Sequence, residues 1–314
     1  MSATQPLSLD DLRALRSSGR PAADALPVRL AVIGDPVDHS LSPAMHQPAL
    51  DARGLGFRYG RVHVRPGDVA EAFALMRALG FVGTNVTVPH KAEALAACGE
   101  VEATARLFGA VNTVVFGADG VTRGYNTDGP GLAAAVMESF GRPPGSFRVA
   151  IVGAGGGAGR AAALQCALSG CPLVVLANRT VAKAEAVAAE ARRVAPACDV
   201  RVTALGGAAR LPDALAACDL LVNATSVGLR PDDPAPVPVS LLRPDLAVFD
   251  MVYNPPETRL LAAARALGAP AANGLAMLVH QGALAFVLWF GGDLPLEEMR
   301  AGLACGLAPP TAGR

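Results

Sequence analysis

The apolar positions of this chain gather in short runs rich in β-branched residues, and alanine-rich stretches separate those runs along most of its length. The runs at 28–34, 62–64, 81–88, 109–116, 147–152, 173–177, 200–205, 219–224 and 246–253 read as strands. Stretches at 68–79, 132–139, 161–168, 181–194, 211–217 and 257–267 carry good helix formers, and a final helix is expected over about 275–290. Strands alternating with helices predict parallel sheets, here two of them, and an α/β fold. Ahead of this series, residues 1–27 look like an appendage. Ser8 with Asp11 three residues on resembles a capping box, Leu9, Leu12 and Leu15 share one helical face, and Gly19 with Pro21 would end that helix.

One strand-to-helix junction stands out. The run Phe147–Val152 leads into Gly153-Ala154-Gly155-Gly156-Gly157-Ala158-Gly159, and a helix-forming stretch follows. Gly153, Gly155 and Ala158 fit the G-x-G-x-x-G/A phosphate fingerprint in the strand–turn–helix setting it requires. Gly153 would make the tight turn, Gly155 would let the backbone approach a pyrophosphate, and Ala158 would let the helix pack on the strand. The free amides at the helix start then face the phosphates. The next strand, 173–177, ends in Asn178-Arg179-Thr180, where an adenosine ribose would lie. An NAD enzyme usually places a carboxylate there. Asn178 removes that negative charge, Arg179 can pair with a 2′-phosphate, and Lys183 adds a second cation one turn on. Together they predict NADP. The plainer alternative makes Arg179 and Lys183 solvated charges opening a helix.

Composition narrows the function classes. Of the 314 residues 52% are hydrophobic, but alanine dominates that share. The longest apolar stretch, 283–290, is far below the roughly 20 residues of a spanning helix. Basic and acidic residues number 27 each, so no net field favours nucleic acid or an acidic membrane. The six cysteines form no C-x-x-C pair, and neither a metal-ligand spacing among the five histidines nor a signal pattern is present. A cytoplasmic protein with reduced thiols and a small-molecule substrate is the expectation, as monomer or homodimer. The length suits two domains.

Polar residues recur at strand exits, where α/β sheets present their sites. Ser40 and Ser42 lie two residues apart after the strand 28–34 and suit a carboxylate or a polyhydroxy ligand. The plainer reading caps a helix with Ser42, with Pro43 in its first turn. Asn85 and Thr87 share one face of the strand before Pro89, and such buried polar groups need partners, from a ligand or from neighbouring backbone. Lys91 follows; alone, it reads as a surface charge. Asn112 is a further polar residue at the opening of the strand 109–116, and Asp128 reads locally as a cap for the helix 132–139.

Five runs in this order and spacing resemble the shikimate dehydrogenase family: Ser-Leu-Ser-Pro, Asn-Val-Thr-Val-Pro-His-Lys, Gly-Ala-Val-Asn-Thr, Asn-Thr-Asp-Gly and Asn-Arg-Thr. The resemblance implies NADP-dependent interconversion of 3-dehydroshikimate and shikimate in aromatic amino-acid biosynthesis. It implies a substrate domain with a mainly parallel sheet over 28–127 plus 274–314, and a Rossmann-like NADP-binding domain over 128–273. By position, the family's catalytic pair falls on Lys91 and Asp128. Its substrate contacts fall on Ser40, Ser42, Asn85, Thr87, Asn112, Tyr253 and Gln281. Its cofactor contacts fall on Gly153, Ala154, Gly155, Gly156, Gly157, Asn178, Arg179, Thr180, Lys183, Met251 and Gly274. Departures are Ala276, where the family often has glycine, Ala103, where some members carry an acid, and the N-terminal extension. The roles fit the chemistry: a free lysine, with a pKa of about 10.4, is protonated at neutral pH and can donate a proton to a ketone oxygen. A nearby aspartate would favour its charged form. Two alternatives stand beside this one, an NAD-preferring quinate/shikimate dehydrogenase and a non-enzymatic ligand sensor.

Overall fold

The structure is a computed structural model and describes residues 5–18, 27–205 and 211–307. The chain divides into two compact units, one taking the chain to Thr127 and again from Gly282, the other Asp128–Gln281. The predicted stops at Gly19 and Pro21 lie outside the described residues. No helix among the described residues is long and apolar enough to cross a membrane.

The first unit holds a seven-stranded mixed sheet in the order β1-β3-β2-β4-β6-β7-β5. Its strands are β1 (Leu7–Ser8), β2 (Val28–Gly34), β3 (Arg58–His63), β4 (Gly83–Val86), β5 (Glu100–Val101), β6 (Thr113–Phe116) and β7 (Thr122–Tyr125). The pairs β1/β3, β3/β2 and β2/β4 are parallel, and β4/β6 and β6/β7 are antiparallel. Consecutive strands 113–116 and 122–125 are joined by a short turn, which permits only an antiparallel pair.

The N-terminal residues belong to this unit. Leu7 and Ser8 pair with Val62 and His63 and form the sheet's edge strand. The capping box is present: Ser8 Oγ accepts from the Asp11 amide at 3.1 Å and the Asp11 carboxylate accepts from the Ser8 amide at 2.7 Å. That helix, Leu9–Ser17, buries Leu9 and Leu12 in a core shared with Val62, Val64, Phe73 and Met76. The Ser8 hydroxyl, which donates to the Asp11 carboxylate at 2.7 Å, and the Ser8 amide hold that carboxyl below its usual range.

The second unit is a six-stranded, wholly parallel sheet in the order β10-β9-β8-β11-β12-β13. These strands are β8 (Arg148–Val152), β9 (Leu173–Asn178), β10 (Asp199–Ala204), β11 (Leu220–Asn223), β12 (Ala247–Asp250) and β13 (Ala271–Asn273). Counted from β8, the order is that of the doubly wound dinucleotide-binding fold, with its switch point between β8 and β11. Strands buried on both faces explain the unbroken apolar runs.

The helix Leu275–Phe290 carries the chain back to the first unit. It is not the last helix: Leu296–Leu307 follows, and Gly302 lets it pack against the backbone at Ala44. The six cysteines are unpaired, and burial pushes the Cys98 thiol up to about 11 and Cys218 up to about 12.

Because Leu12 is fully buried, Leu12→Ala should lower the unfolding free energy by about 2–5 kcal/mol. Urea titration reads this directly; a midpoint equal to wild type would show that the extension contributes nothing to this core.

Candidate active site

In the first unit the site is built where β2 and β4 end. Beyond Gly34 the chain turns through a loop in which the Ser40 amide donates to Val37 O at 3.1 Å. Ser40 Oγ donates to Ser42 Oγ at 3.1 Å and accepts from the Ser42 amide at 3.3 Å. The helix Ser42–Ala52 is capped by Leu41 with no side-chain bond. The capping role expected of Ser42 is therefore absent: Ser42 is already the first helical residue, so its hydroxyl turns to Ser40 instead.

Asn85 sits in β4 and is buried. Its Oδ1 accepts from the Tyr59 hydroxyl at 2.7 Å, and its Nδ2 donates to Asn112 O at 3.2 Å and Thr113 Oγ1 at 3.1 Å. Protein partners thus satisfy much of this carboxamide, whose unpaired burial would cost about 1–3 kcal/mol per group. Thr87 lies just past the strand, where its amide donates to Ile33 O at 2.9 Å. It is half-buried, and its methyl occupies the space that a side chain on Gly34 would need.

Lys91 is the first residue of the helix Lys91–Ala97. The turn is clasped from both sides. His90 is buried, with Nε2 at 2.7 Å from Val64 O, and the Glu93 carboxylate accepts from the amides of Gly67 and Val69 at 3.1 and 3.0 Å. The Lys91 carbonyl accepts from the Val111 amide at 2.9 Å. The next residue, Asn112, grips Thr127: its Oδ1 accepts from the Thr127 amide at 2.7 Å and its Nδ2 donates to Thr127 Oγ1 at 3.0 Å. Asp128, the first residue of the helix Asp128–Phe140, follows directly in the chain. One peptide, about 3.8 Å between Cα atoms, therefore separates Asp128 from a point fixed to Asn112.

Under this network lies an aromatic cluster. His46 stacks on Tyr59 at 4.4 Å, and Trp289 packs on both. Trp289 Nε1 donates to Val114 O at 2.9 Å, and only glycine at 83 leaves room for its indole. Burial pushes the His46 pKa down to about 3, so the ring packs as a neutral one.

In the second unit the glycine-rich turn leaves β8. Gly153 has φ of +86°, a conformation that favours glycine. A side chain on Gly155 would fall within 2.7 Å of Lys183 Cβ and 2.8 Å of Asn178 Nδ2. The helix Gly157–Leu168 starts beyond it, capped by Gly156. The close approach of helix to turn is made by Gly159, where a side chain would strike Gly153 O, while Ala158 is exposed. The packing role expected of Ala158 thus belongs to Gly159, because the turn holds one more residue than the short fingerprint.

Asn178 ends β9 and stitches the turn to the next loop. Its Oδ1 accepts from the Gly155 amide at 3.3 Å and its Nδ2 donates to Thr180 O at 2.8 Å. Arg179 and Lys183 are exposed beside it. Across the sheet, buried Asp250 accepts from Asn223 Nδ2, the Val252 amide and Thr258 Oγ1 at 2.8, 3.0 and 2.7 Å. Met251 follows, with its backbone against Gly274, where a side chain would collide. Tyr253 is half-buried, and burial raises its phenol. Gln281 Nε2 donates to Leu278 O at 2.9 Å, and Gly131 packs against Gln281. Among the described residues no cluster of histidine, cysteine, aspartate or glutamate is arranged to hold a metal.

Sequence reasoning did not find Tyr59, Arg61, His63, Thr127 or Gly159. The signal for the first three was the alternation within Arg58–His63, which puts 59, 61 and 63 on one face.

Known proteins share this pattern. A family model described as the shikimate dehydrogenase substrate binding domain matches residues 32–114, and one described as the shikimate 5'-dehydrogenase C-terminal domain matches residues 274–302. The shikimate dehydrogenase (NADP(+)) of Moorella thermoacetica is 43% identical over 290 residues, 91% of this chain and 97% of that one. The shikimate 5-dehydrogenase of Thermus thermophilus, solved in complex with NADP(H) and shikimate, has a TM-score of 0.79 at 37% identity, covering 89% of this chain and 100% of that one. The quinate dehydrogenase of Corynebacterium glutamicum, solved in complex with NAD, has a TM-score of 0.81 at 34% identity, covering 88% of this chain and 99% of that one. By identity and coverage, the chain belongs to the shikimate dehydrogenase family.

Proposed function

We propose that this chain is an NADP-dependent shikimate dehydrogenase, reducing 3-dehydroshikimate reversibly to shikimate in aromatic amino-acid biosynthesis. The observation that carries this reading is the clasp in which Val111 holds the Lys91 carbonyl while Asn112 holds Thr127, the residue before Asp128. It gives a lysine and an aspartate fixed backbone positions, as an acid–base pair needs.

The glycine turn fits a dinucleotide because Gly153 takes a positive φ, Gly155 lets the turn lie close against Asn178 and Lys183, and open space remains beside Gly157 at the helix start. Gly153 to Gly157, with Ala154 among them, would hold the pyrophosphate. Arg179 and Lys183 would hold the 2′-phosphate, with Asn178 and Thr180 shaping the loop, and Met251 and Gly274 would border the nicotinamide. When bound, the dihydronicotinamide supplies the hydride that the ketone carbon needs.

The protein supplies the proton. Lys91 donates from its ammonium to the ketone oxygen, and in the reverse direction neutral Lys91 takes the hydroxyl proton. The Asp128 carboxylate orients the ammonium. Ser40 and Ser42 offer hydroxyls to the carboxylate, and Thr87, Asn112, Tyr253 and Gln281 contact the rest of the ring. Asn85 is tied to Tyr59 and Thr113, so it chiefly sets the shape of that floor.

Lys91→Ala should lower kcat by about 10²–10⁴-fold while the shikimate KM changes less; an active variant in the NADP-linked assay at alkaline pH would remove Lys91 from this role. Asp128→Asn should cut kcat at least about tenfold with an unchanged melting temperature, and kinetics like wild type would leave the residue a helix-terminal carboxylate only. Arg179→Ala should raise the NADP+ KM about tenfold and leave the NAD+ KM within about twofold. Equal changes for both coenzymes would refute 2′-phosphate recognition.

A further inference from the structure

β3 presents Tyr59, Arg61 and His63 on one face, and each reaches a residue at the substrate end of the first unit. The Tyr59 hydroxyl donates to Asn85 Oδ1 at 2.7 Å, and His63 Nε2 lies 2.9 Å from Asp35 Oδ1. Between them, Arg61 Nε and Nη2 both donate to the carbonyl oxygen of Ser40, at 3.1 and 2.7 Å. The register explains the reach. β3 runs parallel to β2 with Arg61 beside Val32 and His63 beside Gly34, so these side chains leave the sheet next to the end of β2 and within reach of the loop that follows it.

Ser40 is consequently fixed at three atoms. Its amide donates to Val37 O, its Oγ joins Ser42, and two donors of one rigid fork occupy the lone pairs of its carbonyl. Arg61 is half-buried, and among the described residues it makes no ion pair within 4.0 Å. Burial lowers the guanidinium's pKa, with the charge of Asp38 acting in the opposite sense. Holding a cation there, with its desolvation cost only partly offset, makes sense where a negative group arrives.

We infer that Arg61 is a positioning residue for the carboxylate end of the substrate, fixing the Ser40 carbonyl and with it the Ser40–Ser42 hydroxyl pair. The inference rests on the reading of those serines as substrate contacts. It predicts an effect on substrate binding more than on turnover, because the turn that carries Lys91 is held by separate contacts, of His90 with Val64, of Glu93 with Gly67 and Val69, and of the Lys91 carbonyl with Val111.

Steady-state kinetics of the full chain test it. Arg61→Met should raise the shikimate KM about tenfold, with kcat and the NADP+ KM within about twofold of wild type. Arg61→Lys, which keeps the charge and one donor but loses the fork, should give an intermediate shikimate KM. An unchanged shikimate KM in Arg61→Met overturns the inference, as does a parallel loss in kcat and both KM values, which would mark a general structural role. A wild-type chain that does not oxidise shikimate at all overturns the functional reading itself, and is distinct from either outcome.

Discussion

Asn112 carries the contact on which the proposed chemistry of the first unit depends. An amide side chain that accepts from the Thr127 backbone and donates to the Thr127 hydroxyl sets both the position and the orientation of that residue. Its neighbour Val111 sets the start of the Lys91 helix in the same stroke. A single two-residue segment thereby fixes both the Lys91 carbonyl and Thr127, the last residue of this stretch of the first unit. Val111, Asn112 and Thr127 are all buried, so an alternative rotamer would strand polar groups at a cost of about 1–3 kcal/mol each. The arrangement is kept by that penalty more than by the net strength of any one bond.

The second unit meets a different constraint, how to pack backbone tightly around the turn proposed to take a phosphate. Here the constraint is absence of side chain. Gly155 faces Asn178 and Lys183, Gly159 faces the Gly153 carbonyl, and Gly274 faces Met251, each at distances no β-carbon tolerates. Asn178 then does the work that packing cannot, bridging the turn and the following loop through both ends of its amide. A carboxylate at that position would still accept from the Gly155 amide. It would, however, lose the donor to Thr180 O and set a negative charge where the exposed Arg179 and Lys183 otherwise leave the field positive.

Much of this was legible in the sequence because periodicity and glycine placement are local signals. Five of the six strands of the second unit, the helix Val181–Val194 and the turn after β8 follow from runs a few residues long, whereas Ala271–Asn273 is too short to show a period. What the sequence hid depends on pairing. Leu7–Ser8 is too short to show a strand period, and becomes one only because β3 has a free edge beside it. The fingerprint points to Ala158 and not Gly159 because it fixes a count of residues, whereas the fold fixes a distance to the Gly153 carbonyl. Asn85 and Thr87 alternate as though both were in a strand, yet β4 ends at Val86 and the two residues meet different partners. The antiparallel pairs around β6 were equally invisible to a rule that reads alternating elements as parallel.

The position of β3 links these observations to the extension. One edge of β3 pairs with β2, whose exit loop carries the serines, and the other edge pairs with Leu7–Ser8. An unpaired edge strand frays and invites foreign strands. Tyr59, Arg61 and His63 cannot hold Asn85, Ser40 and Asp35 at fixed distances from a strand that moves. The short N-terminal strand, anchored by a capped helix with Leu9 and Leu12 in the core, covers the end of β3 that carries His63. The strand Leu7–Ser8 and its capped helix therefore brace the strand from which the proposed substrate end of this unit is held.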